Sequence, residues 1–222
     1  AGLNTAIGQA AMRANTTGTR NTASGYLALY SNTTGNDNAA FGTCALLTST
    51  TASANTAFGG RALQLTTTGY SNTATGYAAL CGNTTGHNNT GTGYAALYYT
   101  TTGYTNTASG SYSLFSNTTG NSNTAVGFCA LLNNTTGIRN TGVGLNVGRA
   151  NTTASYNTAV GYASFYSNTT GEQNTASGYK SLFSNTTANY NTAYGACALY
   201  SNTTGTNNTA VGYCSMKLTT TG

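Results

Sequence analysis

The chain has 222 residues, of which nine are charged, seven Lys or Arg against two Asp or Glu, for a net charge of +5; it has 29 glycines, one histidine and no proline. Asp37 and Glu172 are too far apart in sequence to serve as a carboxylate pair for glycoside hydrolysis or as an acidic cage for calcium. The basic residues are scattered, which argues against a continuous stripe along a nucleic-acid backbone, and no apolar run is long enough to span a bilayer.

Counted from Asn4, the sequence repeats every 17 residues, and we number the columns of this repeat 1 to 17. Asparagine opens all thirteen copies: Asn4, Asn21, Asn38, Asn55, Asn72, Asn89, Asn106, Asn123, Asn140, Asn157, Asn174, Asn191 and Asn208. Columns 2 to 6 alternate in character. Column 3 is always Ala or Gly and column 5 always Gly, while columns 2, 4 and 6 are mostly Thr, a mixed β-former and Tyr, a period of two that predicts a strand. Column 9 is the core anchor, Leu in nine copies, with Met12, Gly148, Phe165 and Met216 in the others. Column 8 beside it is small, Val147 being the one larger residue. A Thr-Thr pair at columns 13 and 14 never changes, and the Asn-Thr-Thr-Gly stretch around it reads as a turn in which Asn and Gly adopt positive φ.

Two helices need a longer unit and avoid runs of Thr, Asn, Gly and Ser. The pattern predicts an all-β fold, a parallel β-solenoid (a flattened β-roll or β-helix) with 17 residues per coil and about 13 coils, as one repeat array over residues 1–222. Small residues on the inner side leave no room for a cavity. The absence of proline keeps every backbone N–H available for bonds between coils. Stacked copies of column 1 are expected to form a buried asparagine ladder from coil to coil. Neither end carries a cap, so the chain is expected to be a segment of a longer fibre that continues covalently or by head-to-tail stacking.

Four groups of side chains are candidates for chemistry or contact. Asn-Thr-Thr matches the N-glycosylation acceptor pattern at Asn15, Asn32, Asn83, Asn117, Asn134, Asn151, Asn168, Asn185 and Asn202, with overlapping matches at Asn88, Asn133 and Asn207. Turn preference alone also selects Asn there, and the Thr pairs offer a second array for O-linked sugars. Cysteines occur at 44, 81, 129, 197 and 214; Cys197 and Cys214 share column 7 in adjacent copies and are a candidate disulfide, free thiols being the alternative. Tyr26, Tyr77, Tyr94, Tyr162, Tyr179 and Tyr213 share column 6, and Tyr30, Tyr98, Tyr166, Tyr200, Phe115 and Phe183 share column 10. Rows of rings suit packing against sister chains or stacking on sugars. His87 lies in a variable loop column and reads as a solvated side chain. No base accompanies the hydroxyls and no zinc spacing is present, so no catalytic residue, metal or cofactor is expected.

The run N-T-A-V-G-Y at residues 157–162 and 208–213, with segments such as S-N-T-T-G at residues 31–35 and 116–120, resembles the repeats of phage tail-fibre-like and large bacterial surface proteins. The N-T-A-x-G core is similar to the shorter head repeats of trimeric autotransporter adhesins. The resemblance implies a β-roll or β-helix fibre, often trimeric, used as a shaft or for attachment. The expected function is an extracellular, self-associating filament or adhesive fibre on a cell or virion surface, with copies of itself and surface glycans as partners. The alternative is an ice-binding solenoid with ranked threonines; against it, the invariant Thr pair is adjacent, so its two hydroxyls would not point the same way from a strand. A polysaccharide-acting β-helix enzyme is the remote third.

Overall fold

The computed structural model describes residues 2–221. Among the described residues each copy contributes one short strand: β1 (Thr5–Ile7), β2 (Thr22–Ser24), β3 (Ala39–Phe41), β4 (Thr56–Phe58), β5 (Thr73–Thr75), β6 (Thr90–Thr92), β7 (Thr107–Ser109), β8 (Thr124–Val126), β9 (Thr141–Val143), β10 (Thr158–Val160), β11 (Thr175–Ser177), β12 (Thr192–Tyr194) and β13 (Thr209–Val211). The chain forms two compact units, residues 1–111 with β1 to β7 and residues 112–222 with β8 to β13.

In each unit consecutive strands pair in parallel, every residue opposite its counterpart 17 positions on. In the first unit Thr22, Ala23 and Ser24 face Ala39, Ala40 and Phe41. In the second, Thr158, Ala159 and Val160 face Thr175, Ala176 and Ser177. Both units are therefore parallel β-solenoids with 17-residue coils, as the repeat predicts.

The strands stop at column 4, two residues short of the expected span, because the invariant glycine of column 5 turns the chain. At Gly76 φ is +128°, and a Cβ would lie 2.6 Å from the carbonyl oxygen of Gly93 in the next coil. Gly212, with no following coil over it, has a φ of +116° but nothing within 4 Å of a Cβ. The clash thus comes from stacking, and the backbone angle is a second, separate reason for glycine.

Hydrogen bonds between coils continue well beyond the three-residue strands. In the first unit Thr56 N–H donates to Asn72 O (2.8 Å), Gly76 N–H to Phe58 O (2.8 Å), Leu63 N–H to Ala79 O (3.0 Å) and Thr67 N–H to Thr84 O (3.0 Å). The corners are made by residues of positive φ, although not where the sequence places them. Column 12 asparagines and column 15 glycines have ordinary φ; the left-handed residues fall in columns 7, 9 and 17, as at Cys197 (φ 56°), Leu199 (φ 50°) and Tyr190 (φ 58°). Each of these three points its N–H at a neighbouring coil, to Tyr179 O (2.9 Å), Ser215 O (3.0 Å) and Glu172 O (3.2 Å) respectively. A bond to the adjacent coil offsets the steric penalty of an L-residue there.

The interior is narrow. Ala23, Ala28 and Leu29 are fully buried, as are Ala193, Ala198 and Leu199 in the other unit. Where Gly148 replaces the anchor leucine, the space is filled from either side: a Cβ on Gly148 would lie 2.8 Å from Leu131 Cδ2, and the enlarged column 8 residue Val147 is fully buried.

Gly76→Ala is expected to destabilise the fold by roughly 3 kcal/mol, combining overpacking with a strained φ. Gly60→Ala, whose Cβ would only touch the Tyr77 ring at 3.4 Å, is expected to change stability by less than about 0.5 kcal/mol. Chemical denaturation of the two variants beside the parent checks this contrast.

Candidate functional surface

Sorting side chains into those consumed by stacking and those left to the solvent defines the candidate surface. The opening asparagines are consumed. Asn72 N–H and Nδ2 both donate to Asn55 Oδ1 (3.0 and 3.1 Å), and Nδ2 also donates to Gly86 O across its own coil (2.9 Å). Asn157 repeats the pattern in the second unit, donating to Asn140 Oδ1 and to Gly171 O. One amide thus links two coils and braces the wall of its own, which no other side chain of that size can do.

A second ladder runs through column 12, where the sequence reading placed candidate glycosylation. In the second unit Asn134 Nδ2 donates to Asn117 Oδ1 (3.0 Å), Asn151 to Asn134 (2.8 Å), Asn168 to Asn151 (3.0 Å), Asn185 to Asn168 (2.9 Å) and Asn202 to Asn185 (3.1 Å). Each also donates to the column 15 carbonyl of its own coil, as Asn168 does to Gly171 O (3.0 Å). Asn32, Asn83, Asn117, Asn134, Asn151, Asn168, Asn185 and Asn202 are all buried, leaving only Asn15, in the first coil, partly accessible. The acceptor-site reading of these eight buried asparagines is therefore corrected: a sugar on Nδ2 would need the atom that holds the ladder. The sequence carried a signal for this, since column 12 admits only Asn, Ser and Thr.

Interruptions of the second ladder leave orphan atoms. Asn32 Oδ1 faces Ser49, Asn83 Oδ1 faces Thr100, and Asn202 Oδ1 faces Thr219; these three oxygens, together with Ser49 Oγ and Thr100 Oγ1, are buried without a partner. The shorter side chains cannot reach back to the preceding amide.

The invariant threonines divide by role. Column 13 hydroxyls donate to the column 13 carbonyl of the next coil, as Thr33 Oγ1 does to Thr50 O (3.1 Å) and Thr135 Oγ1 to Thr152 O (3.1 Å). Column 14 threonines, such as Thr34, Thr85 and Thr170, are exposed. Column 2 adds a further rank that sequence reasoning passed over: Thr56, Thr73, Thr90 and Thr107 stand exposed at the heads of successive strands.

All five cysteines are free thiols. The candidate Cys197–Cys214 bridge is not formed. Directly stacked Cβ atoms about 4.8 Å apart exceed the roughly 3.8 Å that a disulfide needs. Burial pushes the Cys81 and Cys129 thiols up from their ordinary range, which disfavours the reactive thiolate.

The aromatic rows are real rows. In column 6 Tyr77 stacks on Tyr94 with centroids 5.7 Å apart and planes 16° apart, and Tyr162 on Tyr179 at 5.4 Å and 11°. In column 10 Phe183 is sandwiched between Tyr166 (5.2 Å) and Tyr200 (5.1 Å), with Lys180 Nζ 5.3 Å from the Phe183 centroid. Tyr26 and Tyr213 stand exposed, while Tyr30 and Tyr98 are partly covered. Each ring of these pairs gives one face to its partner, and Phe183 gives both. His87 is likewise held between Tyr70 (4.8 Å) and Tyr104 (5.1 Å), and its buried Nδ1 lacks a partner, in contrast to the solvated side chain expected.

Among the described residues no group of three His, Cys, Asp or Glu side chains comes close enough to hold a metal ion, and no helix is long and apolar enough to cross a membrane. The fold and these columns together define a parallel β-solenoid with two internal amide ladders and an outer surface of Thr and aromatic rows. No family model, curated protein or solved structure matches the chain.

Three outcomes are expected from these ladders and from the scarcity of charge. Ser49→Asn should supply the missing donor to Asn32 Oδ1 and stabilise the fold by about 1 kcal/mol, whereas Asn168→Thr should destabilise it by roughly 2 kcal/mol by orphaning buried partners; denaturant midpoints check both. Asp37, bound in a bidentate pair by Arg20 (2.6 and 2.8 Å), has its carboxyl held below the usual range. A lowered pKa contributes stability above the unfolded value and loses it as pH falls through the folded one, but this pair is solvent-exposed and the sequence has only two carboxylates. Circular dichroism is therefore expected to show the fold retained into acid.

Proposed function

We propose that the chain is a structural subunit or segment of an extracellular filament or adhesive fibre, acting through contact with copies of itself rather than through catalysis. The observation that supports this reading is the outer surface. Phe58, Tyr77, Tyr162, Tyr179, Tyr194 and Val211 are 47–67% exposed, on a chain with nine charged residues in 222. Exposed apolar and aromatic groups with little like-charge repulsion favour lateral association. Ring edges with hydroxyls suit packing against another copy better than face-on stacking against a sugar. Glycans as partners, or as a coat, are assigned on this reading to the exposed column 14 threonines rather than to the column 12 asparagines.

Ice binding is the second reading, and one observation favours it. The threonines of column 2 stand on the outward side of successive strands, which answers the objection that the invariant Thr pair is adjacent. Column 4 beside them runs Phe58, Thr75, Thr92 and Ser109, however, so a bulky ring interrupts the face.

Light scattering over a concentration series, with electron microscopy of the same samples, tests the first reading. Association should grow with concentration and change little between low and high salt, because few charges are present to be screened. A monodisperse monomer at high concentration would remove the support for a fibre. Thermal hysteresis is expected to be absent, and a clear positive would transfer the function to the threonine face.

A further inference from the structure

Column 6 divides its tyrosines into two adjacent pairs and two isolated rings. Tyr77 and Tyr94 lie between Gly60 and Ser111, and Tyr162 and Tyr179 between Leu145 and Ala196; Tyr26 has Gln9 and Thr43 as column neighbours, and Tyr213 follows Ala196. Each paired tyrosine is 47–50% exposed. The pairs are stacked near parallel with centroids 5.7 and 5.4 Å apart. A phenol held at that distance from a second phenol, with its outer edge accessible to a small oxidant, is set up for coupling to its neighbour.

We infer that these two pairs are sites of oxidative cross-linking, each forming a dityrosine bond between successive coils under a heme peroxidase with hydrogen peroxide. Each phenol gives up one electron and its hydroxyl proton to become a neutral phenoxyl, whose unpaired spin lies partly on the ortho carbons. The two ortho carbons join in a new C–C bond. Each then passes its ring hydrogen to its own oxygen, restoring two phenols. The two electrons and two protons released convert one hydrogen peroxide to two waters. Stacking matters because it makes the encounter of two short-lived radicals intramolecular. The product closes a covalent loop from one coil to the next, and removing the freedom of such a loop in the unfolded chain raises resistance to unfolding.

The same geometry supplies internal controls. Tyr26 has no ring in its own column in either neighbouring coil, Gln9 and Thr43 standing there, so it lacks a stacked phenol to couple to. In column 10 the stack Tyr166, Phe183, Tyr200 is as close as the tyrosine pairs, but its middle ring has no hydroxyl and cannot form a phenoxyl.

The test uses the dilute full chain carrying Cys44→Ala, Cys197→Ala and Cys214→Ala, so that the three partly accessible thiols do not reduce the radicals; alanine already fills column 7 at Ala78, Ala95 and Ala163. After treatment with heme peroxidase and hydrogen peroxide, the monomer fraction is read by dityrosine fluorescence and by peptide mapping. The expected result is a loss of two hydrogens per link, with Tyr77 joined to Tyr94 and Tyr162 to Tyr179, each about tenfold more abundant than any monomer link to Tyr26. Tyr179→Phe should abolish the second link and leave the first; Phe128 occupies the same column, so the variant keeps the fold. Phe183→Tyr should create a new link in column 10. Monomer links spread over Tyr26 and Tyr213 as often as over the pairs, coupling found only in multimers, or a Phe183→Tyr variant with no new link would each overturn the inference.

Discussion

Within each unit, superposition of each coil on the next is the constraint from which the remaining features descend. A three-residue strand is too short to hold a sheet by itself, and here the backbone of nearly the whole coil pairs with its neighbours instead. Donors alternate in direction round the coil, Thr56 bonding to the following coil and Gly76 to the preceding one. Between the paired stretches the chain turns its corners at left-handed residues, which recur in columns 7, 9 and 17. A leucine such as Leu63, at φ 51°, is an unfavourable choice for such a corner in isolation. It is retained because the same conformation places the side chain inward and the N–H on Ala79 O at 3.0 Å.

The repeat length, the strand position, the inward column 3 alanines and the column 9 leucines were all legible in the sequence, because each is a side-chain preference that stacking repeats thirteen times. The column 1 ladder was legible for the same reason. What escaped was backbone conformation. Column 7 holds Ala, Cys, Arg, Lys, Leu, Tyr and Asn, so nothing in its composition announces positive φ, whereas Asn and Gly in columns 12 and 15 carry the ordinary turn signature for another cause. Asn168 is there to donate to Asn151 and Gly171. A Cβ on Gly120 would press on the Gly137 carbonyl oxygen and on Asn117 Oδ1. Local propensity and ladder geometry select the same residue types, and only tertiary position separates them.

The two amide ladders tie columns 1 and 12 most closely to the adjacent coils. A change there leaves partners unpaired in a neighbouring coil; the orphaned oxygens of Asn32 and Asn83 beside Ser49 and Thr100 show the result. Columns 4, 6, 10, 16 and 17 vary more widely in residue type. On the proposed reading, contacts come from the exposed columns, the threonines of columns 2 and 14 included, and from runs of like residues in two or three consecutive coils. The paired tyrosines of column 6 and the mixed row of column 10 are runs of this kind.

Stacking bears on charge as well, and this changes how the composition is understood. Identical charges in successive coils would sit about 4.8 Å apart, a repulsion of roughly 1 kcal/mol even in water, repeated along a column. The sequence avoids that arrangement throughout. Arg20 is followed in its column by Asp37, Arg139 by Tyr156 and Arg149 by Tyr166, and no two like charges occupy neighbouring coils of one column. Arg139 and Arg149 use those neighbours, each donating to the tyrosine hydroxyl at 3.2 Å. Runs of like charge along a column are thus disfavoured by the fold before any partner is considered. The stronger pointer to association is the exposed aromatic and aliphatic groups of columns 4 and 6, because polar uncharged residues would meet the stacking constraint there equally well.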